Sequence, residues 1–99
     1  MTPAPAYIVA RIQVTDWGRY GEYVKHTPRV IAQFGGRFIV RGGETTVLEG
    51  DWQPSRVVVL EFADLAAAKR WYESEAYQDA RRLREGAASF NMIAVQGVE

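Results

Sequence analysis

Apolar positions in the first third of the chain recur with two different periods. From Tyr7 to Val14 they fall at every second residue, which is typical of a half-buried strand. From Trp17 to Phe34 they recur at spacings of three and four, which predicts an amphipathic helix with Asp16 as its N-cap. The chain is therefore expected to begin with a strand that is followed by a helix.

A proline inside this first helix predicts a break. Proline removes one backbone hydrogen bond and clashes with the carbonyl four residues before it. Thr27 followed by Pro28 is also a favoured way to start a helix. The sequence therefore predicts one helix to about Lys25, a kink at His26 and Thr27, and a second short helix that ends near Phe34.

The rest of the chain predicts four more strands and one long helix. The segment RVVVLEF is short, continuous and β-branched, as in a buried strand. The long helix is interpreted as having a local break near its middle, as the first one does. The predicted strands are Arg37–Arg41, Thr45–Leu48, Arg56–Phe62 and Phe90–Val95, and the helix runs from its Asp64 cap to Gly86.

This order of elements favours an α+β fold. A β-α-β-β-α-β succession gives a four-stranded antiparallel sheet with both helices on one face, which is the ferredoxin-like arrangement. The strand at Thr45–Leu48 adds a short extra hairpin. Residues 1–6, which include two prolines, are expected to form an extended tail, and residues 7–97 to form a single domain.

The composition is that of an ordinary globular domain, and it excludes several kinds of functional site. The 99 residues are 47% apolar and 24% charged, with no cysteine and one histidine. Disulfides, thiolate metal sites and cysteine nucleophiles are excluded, and so is a cluster of histidine ligands within one protomer. We expect neither a metal nor a tightly bound organic cofactor.

The charge balance argues against nucleic-acid and membrane partners. Lysine and arginine number 12, as do aspartate and glutamate, whereas phosphate-binding proteins usually carry a basic face. The basic cluster Arg81, Arg82 and Arg84 is interleaved with acidic residues and is interpreted as a solvated helix face. No apolar run approaches the ~18 residues of a membrane span. With no signal-peptide pattern either, a cytoplasmic location is expected.

One face of the predicted sheet is expected to lack helices. Its residues are too apolar to lie comfortably in water, and contiguous patches of this kind usually mark an interface. A homodimer in which two sheets pack face to face is the simplest way to bury them. The residues assigned to this face are Tyr7, Val9, Arg11, Ile39, Arg41, Val57, Val59, Glu61, Asn91, Ile93 and Val95.

The polar minority on this face has two interpretations. In a closed interface Arg11, Arg41, Glu61 and Asn91 must pair with one another, because an isolated buried charge is costly. In an interface that is open at one end, they would line a polar-tipped cavity for a small molecule. The sequence leaves both interpretations open.

Several stretches, taken together and in order, resemble one known family. They are His26, Gly35–Phe38, Arg41–Gly43, Leu48–Gly50, Arg56–Phe62, Ala68, Trp71–Gln78 and Leu83–Arg84. From about Tyr7 to Gly97 the chain is similar to the domain of unknown function family 1330. The resemblance implies a dimeric α+β barrel of ferredoxin-like protomers and implies no particular activity. Ala76 departs from the family pattern, which often has a proline in this stretch, so a proline-initiated break of the second helix is unsupported.

His26 is the candidate general base. Histidine is the residue type best suited to proton transfer near neutral pH, and His26 is the only one in the chain. At the predicted kink it would act on a substrate, with Glu49 or Glu61 as an orienting carboxylate. In the alternative interpretation, its ring bonds the backbone groups that the kink leaves free.

Arginines and tyrosines supply the candidate ligand-binding residues. The planar guanidinium of Arg41 suits a carboxylate ligand, or else it pairs with a glutamate of the chain itself. Arg56 and Glu61 have the same two interpretations. Tyr72 and Tyr77 either line a pocket or pack in the core.

Three functions fit these patterns. The first is a cofactor-independent enzyme with a pocket between sheet and helix breaks, where His26 is the base and Arg41 holds an anionic group. The second is a non-catalytic dimer that binds a small acid. The third is a purely structural dimer whose polar face residues pair with one another. The sequence does not decide whether the protein is an enzyme.

Overall fold

The computed structural model describes residues 4–52 and 56–99. It contains four strands and three helices in the order β-α-β-β-α-α-β. The elements are β1 (Ala6–Val14), α1 (Trp17–Gln33), β2 (Arg37–Arg41), β3 (Arg56–Phe62), α2 (Leu65–Glu73), α3 (Glu75–Arg82) and β4 (Ala88–Gln96).

The strands form one antiparallel sheet in the order β2-β3-β1-β4. β1 lies in the middle and pairs with β3 on one side and β4 on the other, while β2 pairs with β3 at the edge. All three helices contribute buried residues to the same core as β1 and β3. The predicted ferredoxin-like α+β fold is therefore confirmed.

The core lies between the sheet and the helices and is rich in aromatic residues. Phe62, Trp71 and Tyr77 are its largest fully buried side chains. Their rings are in mutual contact, with centroids 5.5 Å apart for Phe62 and Trp71 and 4.3 Å apart for Trp71 and Tyr77. Rings at such separations attract one another beyond the effect of area burial alone. This aromatic core fixes the position of the helices over the sheet.

Helix α1 is continuous through Pro28, so the predicted kink at His26 and Thr27 is wrong. A proline leaves the carbonyl four residues before it, here that of Val24, without its usual amide donor. The hydroxyl of Thr27 donates to that same carbonyl at 3.3 Å. Thr27 therefore supplies the hydrogen bond that Pro28 cannot, and the helix runs on to Gln33.

The second helical segment, in contrast, is interrupted at Ser74. The Ser74 hydroxyl donates to the Trp71 carbonyl at 2.7 Å and accepts from the Tyr77 amide at 3.1 Å. It thereby ends α2 and caps α3, as serine favours at a helix N-terminus. The interruption expected near the middle of this segment is present, and a serine cap produces it without proline.

A β-bulge in β2 changes which residues face the helices. Phe38 pairs with Leu60, but Val40 pairs with Val59, so Ile39 is an extra residue between two pairs. Partners in a sheet share a face. Val40 therefore lies on the open face, and Arg41, which pairs with Val58, lies on the helix-covered face. The prediction that Arg41 lies on the open face is therefore wrong, because simple alternation does not include a bulge.

The segment between β2 and β3 differs from its prediction. Thr45–Leu48 forms no strand, and the structure has an irregular loop there. The predicted loop at Gly50–Ser55 extends outside the described residues from position 53 onward. Of the predicted tail, residues 1–3 are also outside them, and Ala6 already belongs to β1.

Candidate functional site

A small cavity lies between the sheet and α1, on the helix-covered face. Its volume is about 30 Å³, which is room for about one or two water molecules. Apolar and aromatic side chains form most of its wall, and no aspartate or glutamate is among the described residues that line it. They are Ile8, Ala10, Ile12, Tyr20, Tyr23, Val24, Thr27, Ile31, Phe38, Arg41, Arg56, Val58, Leu60, Trp71, Phe90 and Met92.

Two arginines reach this cavity from neighbouring strands. Arg41 lies over the Phe38 ring, with its Cζ 4.3 Å from the ring centroid. Arg56 lies 5.8 Å from the Tyr20 ring, and its buried Nε has no hydrogen-bond partner among residues 4–52 and 56–99. Gly42 leaves space for it, since a Cβ at this position would overlap the Arg56 guanidinium. The cavity therefore has a cationic rim formed by Arg41 and Arg56.

A second group of polar side chains is buried beside the cavity. The hydroxyls of Tyr23 and Tyr77 are 2.9 Å apart. Arg84 donates from Nη2 to the Tyr77 hydroxyl at 3.4 Å and stacks on Phe90, with its Cζ 3.5 Å from the ring centroid. The buried Nε1 of Trp71 has no partner in the described part of the chain. Buried donors of this kind are costly when unpaired, so the interior offers hydrogen bonds that the described residues do not use.

The tyrosines keep their protons at neutral pH. Burial raises the pKa of Tyr23 well above its usual value of 10.0, and the neighbouring Tyr77 raises it further. Burial also raises the pKa of Tyr20, against a lowering effect of Arg56. Both phenols are therefore available as hydrogen-bond donors, and neither is an anion that could neutralise the arginines.

Three of the seven predicted site residues lie in this region. Arg41 and Arg56 line the cavity, and Tyr77 belongs to the hydroxyl network behind it. Tyr72 lies farther along the helices, in a recess of about 400 Å³ beside β4 that it lines together with Arg81 and Arg84. The structure thus brings together the arginines and one tyrosine of the predicted set.

The other three predicted residues lie apart from the cavity. His26 is exposed and lines a shallow groove between α1 and α3 that shares no residue with the cavity. Glu49 is exposed in the loop after β2. Glu61 lies on the open face, where it accepts a hydrogen bond from Arg37 Nε at 2.8 Å. Neither Glu49 nor Glu61 is therefore placed beside His26.

Two kinds of feature are not found among the described residues. Across 4–52 and 56–99, no cluster of three or more histidine, aspartate or glutamate side chains could hold a metal ion. Over the same ranges, no helix is long and apolar enough to span a membrane.

A family model matches almost the whole chain, from residue 5 to residue 98. The chain belongs to the DUF1330 family, a domain of unknown function. A comparison with curated proteins finds no match.

Solved structures similar to this DUF1330 protein share its fold. A protein of unknown function from Rhodopseudomonas palustris is 17% identical with a TM-score of 0.77, over 97% of this chain and 84% of that one. SnoaB, a cofactor-independent oxygenase from Streptomyces nogalater, is 17% identical with a TM-score of 0.60, over 97% and 95% of the two chains. A dimeric ferredoxin-like protein of unknown function from Bacteroides fragilis is 9% identical with a TM-score of 0.57, over 98% and 100%.

Arg84 and Tyr23 of this DUF1330 protein belong to the buried polar group but were not predicted as site residues. Arg84 was assigned to a solvated helix face, but its side chain is only 9% exposed. A signal for its burial exists, since it follows the buried residues Tyr77 and Ala80 at spacings of seven and four. Tyr23 lies three residues after the predicted apolar position Tyr20, and it belongs to the buried stripe of α1 as well.

Proposed function

We propose that this DUF1330 protein is a homodimer that binds a small organic anion at the cavity between sheet and α1. Arg41 and Arg56 would hold the anionic group, and the apolar wall would contact the rest of the molecule. Small-molecule sites commonly combine an apolar wall with a few polar groups that fix orientation.

The observation that carries this proposal is the unpaired Nε of Arg56. A buried guanidinium N–H without an acceptor is costly, and no carboxylate of the described chain lines the cavity to accept from it. Arg41 adds a second positive charge at the same rim. A carboxylate ligand would accept from both, and charge-assisted bonds of this kind are about twice as strong as neutral ones.

The size of the cavity favours a short-chain carboxylate. About 30 Å³ accommodates the carboxylate group and little more of the ligand. Arg41 is exposed, so its side chain can move outward from Phe38 and enlarge the mouth. Butyrate is a suitable probe, and 1-butanol is its uncharged counterpart.

The arginine Nε–H signals in a ¹⁵N-correlated NMR spectrum test the proposal directly. Butyrate should shift the Arg56 signal to saturation, and butanol should not. Replacing Arg56 with lysine removes the unpaired Nε–H, and we expect the loss of about 1.5–3 kcal/mol of binding energy, equivalent to about tenfold or more in Kd. Arg70→Lys on α2 is the control and should bind butyrate as the wild type does. An Arg56 signal that ignores butyrate rejects the site.

The homodimer is supported by the apolar open face of the sheet. Ile39, Val40, Ile93 and Val95 are exposed there, and Ile93 is 62% exposed. The Bacteroides fragilis protein of the same fold is dimeric. Native mass spectrometry should give twice the 11.1 kDa of one chain. Ile93→Asp should give the monomer mass, whereas Ala66→Asp on the exposed side of α2 should leave the dimer intact. A monomeric wild type contradicts this part of the proposal.

Catalysis is a second candidate function. Tyr20 places a protonated phenol at the cavity next to Arg56, which suits hydrogen-bond donation to an oxygen that gains charge during a reaction. SnoaB shows that this fold can support oxygenation without a cofactor. Oxygen uptake with acetoacetate, a carboxylate of the same chain length as butyrate that can form an enolate, tests the idea. Acceleration by the wild type and its loss in Tyr20→Phe would support catalysis, and equal rates with and without protein would leave binding alone.

A further inference from the structure

A buried arginine near the end of the helical layer is not used by the cavity. The backbone amide of Arg84 donates to the Arg81 carbonyl at 3.1 Å, in the turn that follows α3. Its side chain is only 9% exposed. Among residues 4–52 and 56–99 no ion pair includes it, and its Nε is buried without a hydrogen-bond partner. Arg84 is therefore a largely desolvated cation without an acidic counterpart.

Aromatic rings and one tyrosine hydroxyl partner only part of the Arg84 guanidinium. The guanidinium carbon lies 3.5 Å from the Phe90 ring centroid and 5.3 Å from that of Tyr23, so the positive charge meets two ring faces. Nη2 makes a long hydrogen bond of 3.4 Å with the Tyr77 hydroxyl. The Nε–H edge has no such partner. An anion that reaches this edge would complete the hydrogen bonding of the guanidinium.

The recess beside β4 gives such an anion a place to bind. Tyr72, Arg81, Arg84, Phe90 and Met92 line its volume of about 400 Å³, with no carboxylate among them. Arg81 is exposed and makes only a weak hydrogen bond of 3.3 Å with Gln78. Because Arg81 and Arg84 are three residues apart in a tight helical turn, their side chains share one side of it. The recess therefore combines two cationic groups with three apolar or aromatic surfaces.

We propose that this recess is a binding site for an aromatic carboxylate. The carboxylate accepts hydrogen bonds from Arg84 and Arg81, and the ring lies against Tyr72 and Met92. The planar fork of an arginine matches a carboxylate with two parallel bonds. The site goes beyond the function proposed above, because it uses different arginines and a separate opening. Phe90 and Met92 form a wall common to both sites.

Salicylate is the probe, and the Arg84 Nε–H signal of the wild-type protein is the measurement. We expect saturable shifts of this signal in a ¹⁵N-correlated spectrum. Salicylamide has nearly the same shape without the charge and should cause no comparable shift. An Arg84 signal that salicylate leaves unchanged, or that salicylamide shifts equally, overturns the proposal. A salicylate shift at Arg56 alone would support the first site and overturn this one.

Matched variants separate a ligand role from a structural one. Arg81→Gln changes an exposed residue of the recess and should weaken salicylate binding several-fold with no change in folding. Arg82→Gln changes the neighbouring arginine, which pairs with Asp79 away from the recess, and should bind as the wild type does. Arg84→Lys should weaken binding about tenfold or more. Equal affinities of Arg81→Gln and Arg82→Gln would also contradict the assignment, whatever the stability of the Arg84 variant.

Discussion

The two faces of the sheet differ in which of their side chains are left without a partner. On the open face, Arg37 pairs with Glu61 at 2.8 Å and the Arg11 guanidinium lies 4.7 Å from the Trp52 ring centroid, so both cations have a partner within the chain. What this face lacks is a cover for its apolar side chains. On the covered face, the apolar side chains are buried, and Arg56 and Arg84 have donors without acceptors. This difference between the faces is the basis of the two partners proposed above, an apolar surface for one face and an anion for the other.

Isoleucines on adjacent strands give the largest expected contrast between the faces. Ile8 on β1 is 3% exposed, whereas Ile93 on β4 is 62% exposed. Ile8→Ala should lower the free energy of unfolding by about 2–5 kcal/mol, because it removes buried contacts and leaves a cavity. Ile93→Ala should lower the free energy of unfolding by less than Ile8→Ala does, as measured by urea unfolding. The urea midpoint of Ile93→Ala should depend less on protein concentration than that of Ile8→Ala, because unfolding of a dimer includes dissociation and Ile93→Ala weakens the proposed dimer. Equal, concentration-independent costs would remove the distinction between the faces.

A second contrast concerns the helices that cover one face. Ser74→Ala removes the cap of α3 and the hydroxyl bond to the Trp71 carbonyl. We expect a loss of about 0.5–2 kcal/mol in stability, measured by thermal or urea unfolding. Ser89→Ala on the exposed side of β4 is the matched control and should change little. If Ser74→Ala and Ser89→Ala lower the free energy of unfolding equally, the helical break does not depend on the Ser74 cap.

The buried tyrosines predict how the covered face responds to alkali. In the folded chain the raised pKa keeps Tyr23 protonated, whereas in the unfolded chain it ionises near its usual 10.0. Above that pH the unfolded state binds fewer protons, so the free energy of unfolding should fall as pH rises, and it should be unaffected by Tyr23 below about pH 9. Tyr23→Phe should cost about 0.5–1.5 kcal/mol at neutral pH through its lost hydrogen bond.

The slope above pH 10 separates this effect from ordinary destabilisation. Above pH 10 the free energy of unfolding should fall less steeply with pH in Tyr23→Phe than in the wild type. Part of the fall should remain, because Tyr20 also has a raised pKa. Urea unfolding at a series of pH values measures the slope. Parallel curves for the two proteins would show that Tyr23 titrates alike in both states.

The smallest expected effect lies on the open face. Glu61→Gln removes the negative charge that pairs with Arg37, and the Arg37 side chain is 70% exposed. Partly exposed ion pairs contribute about 0.2–1 kcal/mol, so urea unfolding at low and high salt should show a small, salt-sensitive loss. The exposed Glu85→Gln is the control. A loss much larger than this would mean that Glu61 is buried in the assembled protein.

The sequence predicted the fold well because strand and helix periods are local signals. The alternation in Tyr7–Val14 and the β-branched run Arg56–Phe62 each correspond to a strand of the structure. The predicted kink at Pro28 failed for a local reason as well. One hydroxyl, that of Thr27, replaces the missing amide donor, and residue-type preferences do not include such a specific bond.

The candidate site was predicted only in part, because its residues come together through tertiary structure. Arg41 and Arg56 were predicted as ligand-binding residues and both line the cavity, but Arg41 was placed on the other face of the sheet. His26 was chosen because histidine is suited to proton transfer, and its exposure on α1 could not be seen from residue type. Arg84 was grouped with the charged residues Arg81 and Arg82, but it is the only one of these three arginines whose side chain is buried.

The bulge at Ile39 also makes β2 tolerant of a change in length. In a regular strand, deletion of one residue reverses the sides of all residues beyond it. Here Ile39 is the unpaired residue, so its deletion would join the Phe38–Leu60 pair directly to the Val40–Val59 pair. Arg41 would still face the cavity. Homologous chains that are one residue shorter at this point can therefore keep the same cavity lining. A one-residue gap at Ile39 in a sequence comparison would not indicate that the cavity is lost.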